Sequence, residues 1–318
     1  MRRSGVRAAA LLLGACAGSS VPPDGTDGTV RDVPASKDAP AGCSWSAARD
    51  LGVVADARLN EISGLVVSRI RPDVLYVHND SGETEARFFA LRRDGSTLAE
   101  VIVDGAPHLD LEDAALEARD GREWIWLGDV GDNAAREGGT PRSSIDVVRA
   151  EVPALPGTPS AEPLHIAEHE RFSFTYPDAP HDCEALIVDP TSGDLYLLAK
   201  ENSGPQGVYR AAAPHVAGTR RVLERVGEIL PARGALDGIT GADADAAGRF
   251  VVRTYRRAYL FEGPGSTPAE RWGRAPHELP AIRETQGESV GFFADGRGIV
   301  TVSEGAMETI HALDETCP

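Results

Sequence analysis

The sequence is short of lysine: of its 32 basic residues, Lys37 and Lys200 are the two lysines and the rest are arginine. Basic residues as a whole are outnumbered by 49 acidic ones, for a net charge of −17. Such a surface repels phosphate backbones, which excludes nucleic acid as a partner. Beyond the N-terminal leader no run approaches the ~20 apolar residues of a membrane-spanning helix. There is no H-E-x-x-H, no phosphate-binding glycine loop and no C-x-x-C pair. Zincin, nucleotide-binding and zinc-ribbon chemistries therefore have no support.

What is present begins with a leader. Residues 1–15 carry Arg2, Arg3 and Arg7 followed by the apolar run Ala8–Leu13, without an acid, as in a secretory signal peptide. Leu13-Gly14-Ala15-Cys16 has the residue types of a lipobox, so Cys16 is expected to carry lipid and tether the protein to a membrane without spanning it. Removing the leader takes away three arginines from the 32 basic residues and none of the 49 acids, leaving −20. Residues 16–42, rich in Pro, Gly, Asp, Ser and Thr, cannot bury enough surface to order themselves and read as a flexible tether. Residues 43–318 suffice for one domain. The expected location is the cell envelope, outside the cytoplasm, where cysteines oxidise. Cys43 and Cys317, at the two ends of the domain, are expected to form a disulfide. Cys183 then reads as a small buried filler.

Within that domain one phrase returns about every fifty residues: NEISGLVV (Asn60–Val67), DLEDAAL (Asp110–Leu116), DCEALIVD (Asp182–Asp189), TGADAD (Thr240–Asp245) and QGESVGFF (Gln286–Phe293). Each is followed by a Gly- or Asp-containing turn and a second apolar strand, the pattern of hairpins. A fixed period of this length in an all-β sequence predicts a β-propeller with one blade per repeat. Five blades are readable. A long interval between Glu112 and Glu184 leaves room for an insertion or a sixth. Ala47–Val54 is expected to join the C-terminal blade, closing the ring with strands from both ends of a monomer.

The start of a first strand lies beside the end of its antiparallel neighbour. The second strands end in HNDSG (78–82), GDVGDN (128–133), AKENSG (199–204), RTY (253–255) and SEG (303–305). Ten polar segments are thus expected at one channel mouth. Like charges so placed raise each other's pKa unless a cation compensates. Oxygen donors of this kind suit Ca²⁺, with Glu61, Asp80, Glu112, Asp113, Asp129, Asp132, Asn133, Glu184 and Glu288 as candidate ligands. Asp129 and Asp132 have a plainer reading, as acceptors for turn amides. Glu184, Lys200, His78 and Arg253 are the candidate catalytic groups. Lys200 would grip an anionic oxygen or balance the ring, and His78 would act as base. Arg253 would reach across the channel.

The phrases EISGL, HNDSG, DLEDAAL, GDVGDN, DCEALIVDPTSGDLYLLAKE and QGESVGFF resemble those of secreted bacterial propellers of the phytase-like and esterase-like group, over most of residues 60–305. That resemblance implies a propeller with an acid-lined, calcium-bearing mouth, some members being calcium-dependent phosphatases or lactonases. A DDPAIW-like segment is missing and basic residues to hold a polyphosphate are few, which separates this chain from the phytases. Two functions follow as expectations. One is a metal-assisted phosphoester, ester or lactone hydrolase. The other is a non-catalytic ligand- or partner-binding module.

Overall fold

The computed structural model describes residues 42–262, 270 and 272–318. The expected signal peptide, Cys16 and nearly all of the expected tether lie outside the described residues. Among those described, no helix is long and apolar enough to cross a membrane.

Five sheets form the ring, and five is the blade number. In chain order, β1 (Ser44–Trp45) and β2 (Arg49–Val53) precede the first complete blade. Blade one follows with β3 (Ile62–Val67), β4 (Val74–Asn79), β5 (Arg87–Arg92) and β6 (Thr97–Val103). Blade two has β7 (Leu111–Arg119), β8 (Arg122–Asp129), a short helix α1 (Asn133–Glu137) and β9 (Ile145–Glu151). Next, β10 (Leu164–Ile166) crosses to pair in parallel with β6 of blade one, before β11 (His169–Thr175) completes blade two. Blade three comprises β12 (Cys183–Val188), β13 (Leu195–Ala199), β14 (Gly204–Ala211) and β16 (Glu224–Ala232). Between its last two strands, β15 (Arg220–Val222) pairs in parallel with β11 of blade two. Blade four is β17 (Ile239–Ala244), β18 (Phe250–Thr254), β19 (Ala258–Phe261) and β20 (His277–Glu278). Blade five is β21 (Gly287–Phe292), β22 (Gly298–Ser303) and β23 (Thr309–Thr316).

The long interval after Glu112 therefore holds α1 and the crossing strand β10, not a sixth blade. Outer segments that read as single strands in the sequence, around His165–Tyr176 and Arg221–Ile229, are each split. Their first residues cap the previous blade's outer edge, which covers backbone groups that would otherwise invite pairing with another chain.

Ring closure comes from both termini. Strands β1 and β2 both pair antiparallel with β23, with Ser44 opposite Thr316 and Arg49 opposite Ala312. The Cys43–Cys317 disulfide lies just beyond, its Cα atoms 4.1 Å apart. Among the described residues Cys183 is the free cysteine; it is buried, and burial pushes its thiol pKa up.

Five apolar clusters fill the five seams between blades. Phe88 and Val148 meet between blades one and two, Leu186 and Phe172 between two and three, and Val77 and Ile310 between five and one. Phe250 packs against Tyr196 between three and four, and Leu260 against Ile299 between four and five. Each fully buried side chain of this size contributes about 1.5–3 kcal/mol, so every seam is held by many such terms. The bore, by contrast, is polar.

Candidate functional site

One register irregularity recurs in all five blades and builds the site. Where each inner strand meets its neighbour, one residue is passed over in the pairing, forming a β-bulge. The passed residues are Ser63, Glu112, Glu184, Thr240 and Glu288. Bulges re-aim a side chain and end regular pairing, so one side chain per blade is presented at the same level of the ring. Three of the five are glutamates, all nearly inaccessible. The other two are hydroxyl residues that bond the next blade. Ser63 Oγ donates to the Glu112 carbonyl at 2.5 Å and Glu112 Oε2 at 3.2 Å, and Thr240 Oγ1 donates to the Gly287 carbonyl at 2.9 Å.

Glu61, expected as the blade-one counterpart of Glu112, thus stands two residues ahead of that position. It lies beside Asp80, accepting from Ser81 Oγ at 2.9 Å. Burial first, then the Glu61 charge, pushes Asp80 up to about 6, and its Oδ1 is buried without a partner among the described residues.

Blades two and three supply the densest group. Carboxylate oxygens of Asp110, Glu112 and Asp182 lie within 4.8 Å of one another. They sit over Gly131, where a Cβ would come 2.4 Å from Glu112 Oε1 and 2.6 Å from Asp110 Oδ2, so only glycine fits. Burial and the neighbouring charge of Glu184 hold the Glu112 carboxyl well above its ordinary range, and burial and Asp182 raise Asp110. Asp182 accepts from the Asp132 amide at 2.8 Å and from Arg136 Nε at 2.7 Å.

Glu184 pairs with Lys200 at 2.8 Å, both side chains only 4% exposed, and Lys200 also donates to the Tyr255 hydroxyl at 2.8 Å. Burial wins at the carboxyl, which rises to about 7 despite Lys200. At the ammonium the charge of Glu184 and the Tyr255 bond outweigh burial, so Lys200 is held protonated. Burial and Glu184 push Glu288 up to about 8, while Gln286 Nε2 donates to it at 3.1 Å and also to Glu304. Acids from blades five, two and three thus face a donor sector made by Lys200 and Tyr255.

Several expected residues do other work. Asp113 lies in the bore: Oδ2 accepts the amides of Leu186 at 2.8 Å and Ala242 at 3.1 Å, tying blade two to blades three and four. Its own Ala114 amide occupies Oδ1 at 2.8 Å. Asp243 does the same lower down, accepting from the Phe292 amide at 2.8 Å and from Arg69 of blade one at 3.1 Å. Together they plug the bore beneath the ring. Asp129 accepts from the Asp110 amide and Arg142, each at 3.0 Å. Asp132 caps α1 through Ala135 at 3.2 Å, and Asn133 bonds Arg136. His78 is buried under the ring; its Nδ1 meets the Asn79 carbonyl at 3.0 Å, and burial lowers its pKa to about 4, leaving a neutral imidazole. Arg253 does not cross the channel: it forms a tight, wholly buried ion pair with Glu284 between blades four and five. Glu284 lies in an irregular segment before β21 and carries no period that marks it. The segment Gly287–Gly291 spells G-x-S-x-G, but it runs within β21 rather than at a strand–helix elbow. Ser289 is buried with its Oγ donating to the Val302 carbonyl at 3.0 Å, so it is not a nucleophile.

No protein-family model and no curated protein matches the chain. Similar solved structures do exist. A luciferin-regenerating enzyme is 10% identical with a TM-score of 0.43, covering 86% of this chain and 95% of that one. A gluconolactonase from Xanthomonas campestris is 14% identical with a TM-score of 0.43, over 88% and 98%. A protein of unknown function from Bacteroides thetaiotaomicron is 9% identical with a TM-score of 0.42, over 86% and 76%. The propeller assignment itself rests on the five sheets of this chain.

Proposed function

We propose that the acidic mouth is a metal-assisted hydrolytic centre for an ester or lactone, on a protein exported and anchored to the cell envelope through Cys16. The carrying observation is the set of aligned bulges, which bring Glu112, Glu184 and Glu288 to one level with Lys200 and Tyr255 beside them. The donor set is all oxygen and suits a hard cation such as Ca²⁺. Asp110, Glu112 and Asp182 would hold it, with Asp80 beside Asp110, and Asp80 Oδ1 has no other partner among the described residues. When bound, such an ion polarises a substrate oxygen and acidifies water.

The chain's own groups supply the rest. Lys200 uses two of its three N–H donors on Glu184 and Tyr255, which leaves one for a carbonyl or leaving-group oxygen. Carboxyls held protonated near neutral pH, Glu288 above all, are suited to give a proton to a departing oxygen. A mouth this rich in acid disfavours phosphoesters relative to uncharged esters and lactones.

The test is metal analysis of the purified protein together with a panel of lactones, carboxylic esters and phosphoesters, using Glu184→Gln as control. Turnover of an uncharged ester or lactone, abolished by that substitution, is expected. Activity indifferent to Glu184→Gln would remove the site from the chemistry. A second reading is supported by the internal pairing of Glu184 with Lys200 and of Asp182 with Arg136, which partly balances the ring without an ion. It is a non-catalytic module that binds a ligand at the same mouth, and a ligand-binding protein with no turnover on the panel would support it.

A further inference from the structure

At the far end of the ring, remote from the bulges, the inner strands of all five blades finish around a cavity of about 690 Å³, with blades one and five contributing Arg69 and Ala294. That volume lies in the range of small-molecule sites. The Asp113 and Asp243 bridges separate it from the acidic mouth, so it is not part of the centre described above.

Its walls differ in character from the rest of the molecule. Three arginines line it, Arg69, Arg119 and Arg149, in a chain whose net charge is −17. It also holds three carboxylates, of which Glu117 stands between Arg149 at 3.6 Å and Arg119 at 3.7 Å, while the other two are turned inward and used. Asp189 accepts the Thr191 amide at 2.8 Å, and Asp245 accepts the amides of Ala247 and Arg249 and the Arg249 side chain. Arg119 is the least engaged guanidinium: its side chain is 65% exposed, and its ion-pair partners Glu117 and Asp120 both stand at 3.7 Å, beyond hydrogen-bond range. An incoming anion can displace such contacts at little cost.

An aromatic group forms one wall. Trp126 stacks on Phe172 with centroids 5.4 Å apart, His215 packs edge-on against both, and the Arg149 guanidinium lies 5.0 Å from the Trp126 centroid. His215 Nε2 is 2.8 Å from the Gly193 carbonyl, so it carries the hydrogen and Nδ1 is left as an acceptor. Among the described residues, this Nδ1 and the indole Nε1 of Trp126 are buried polar atoms with no protein partner, and Trp126 is 1% exposed. Both atoms lie behind the cavity surface, so a ligand meets this wall through the ring of His215 and through Pro190 and Pro214.

We propose that this cavity is a second binding site, for a small aromatic monoanion of the arylcarboxylate class. The ring would lie along the aromatic and proline-lined wall, and the carboxylate would meet Arg119.

Ligand-observed NMR and calorimetry with naphthalene-2-carboxylate, beside its uncharged carboxamide, test this on the whole mature chain, and a soaked crystal places the ligand. Expected are density in the cavity, preference for the carboxylate, and a roughly tenfold or greater loss of affinity in Arg119→Glu, as for removal and reversal of one partner of a charge contact. Ala246→Trp, which fills the space from an exposed position, is expected to abolish binding, while Ca²⁺ at the opposite mouth leaves it unchanged. Failure of the carboxylate to bind overturns the proposal. Equal binding of the two probes, or carboxylate binding that survives Arg119→Glu or Ala246→Trp, does the same. None of these results depends on whether the acidic mouth is catalytic.

Discussion

Lys200 Nζ stands 2.8 Å from Glu184 Oε1 in a setting where neither side chain reaches bulk water. Removing one member of such a pair strands the other as a buried uncompensated group. Lys200→Met is therefore expected to lower stability by about 3–5 kcal/mol, with Glu184 driven further toward its protonated form. The double variant Glu184→Gln, Lys200→Met should cost less than the sum of its parts. Urea unfolding of the four proteins checks this, and additive losses would show that the pair is not coupled.

Stability should fall as pH rises through neutrality. Asp80, Glu184 and Glu288 titrate near 6, 7 and 8 in the folded protein, against about 3.9 and 4.3 for these residue types in an unfolded chain. Between about pH 4 and 8 the native state then holds protons that the unfolded state has released, so the slope of stability with pH is negative there. The contribution is complete below about pH 4 and is lost through the 6–8 interval. Acids held low by arginines or amides, such as Asp146 and Asp194, act in the opposite sense and at lower pH. Thermal melts in chelator across this range should show the decline, and Glu288→Gln should flatten its upper limb. A melting temperature constant across this interval contradicts the shifts.

If the mouth binds calcium, the ion and protons compete for the same oxygens. Added Ca²⁺ should raise the melting temperature markedly at about pH 8 and little at about pH 5, where the proton-binding carboxyls are filled. Glu112→Gln should remove most of the calcium effect without removing the pH dependence due to Glu288. A shift of equal size at both pH values would place the ion elsewhere.

Reduction of the Cys43–Cys317 bridge should be costly because the loop it closes spans nearly the whole domain, with a sequence separation of 274. In the chain-entropy treatment, a loop of this length corresponds to about 5 kcal/mol. Cys43→Ser is expected to lose most of that in equilibrium unfolding. Hydrogen exchange should report faster opening in β1, β2 and β23 than in β7 or β12, whereas uniform acceleration around the ring would argue against local release of blade five.

How much of this was legible in the sequence follows from which features repeat. The period of the acidic phrase sufficed for the propeller and its five readable blades, with a sixth left open, and the places of Cys43 and Cys317 at the two ends of the domain sufficed for their meeting at closure. What it could not convey is a bulge, because an extra residue in one strand leaves the alternation ambiguous by one or two positions. Glu61 falls in line with Glu112 in the sequence for that reason, although Ser63 and Thr240 are the true counterparts. Asp113 looks like a site acid in the sequence, yet it and Asp243 cap free amides inside the bore, a need that exists only once the inner strands face each other. By its strand Arg253 reads as a mouth residue, while its partner Glu284 comes from a segment with no pattern at all. The split of the outer strands was hidden as well, since β10 and β11 read as one continuous β-rich stretch.

The carboxylate plug has a kinetic corollary. A bore closed by Asp113 and Asp243 is a cul-de-sac, so any molecule that visits the acidic ring must enter and depart through the same opening. Traffic there is then limited by exchange at a single doorway, and a bulky product lingering on the rim would hold back the next arrival.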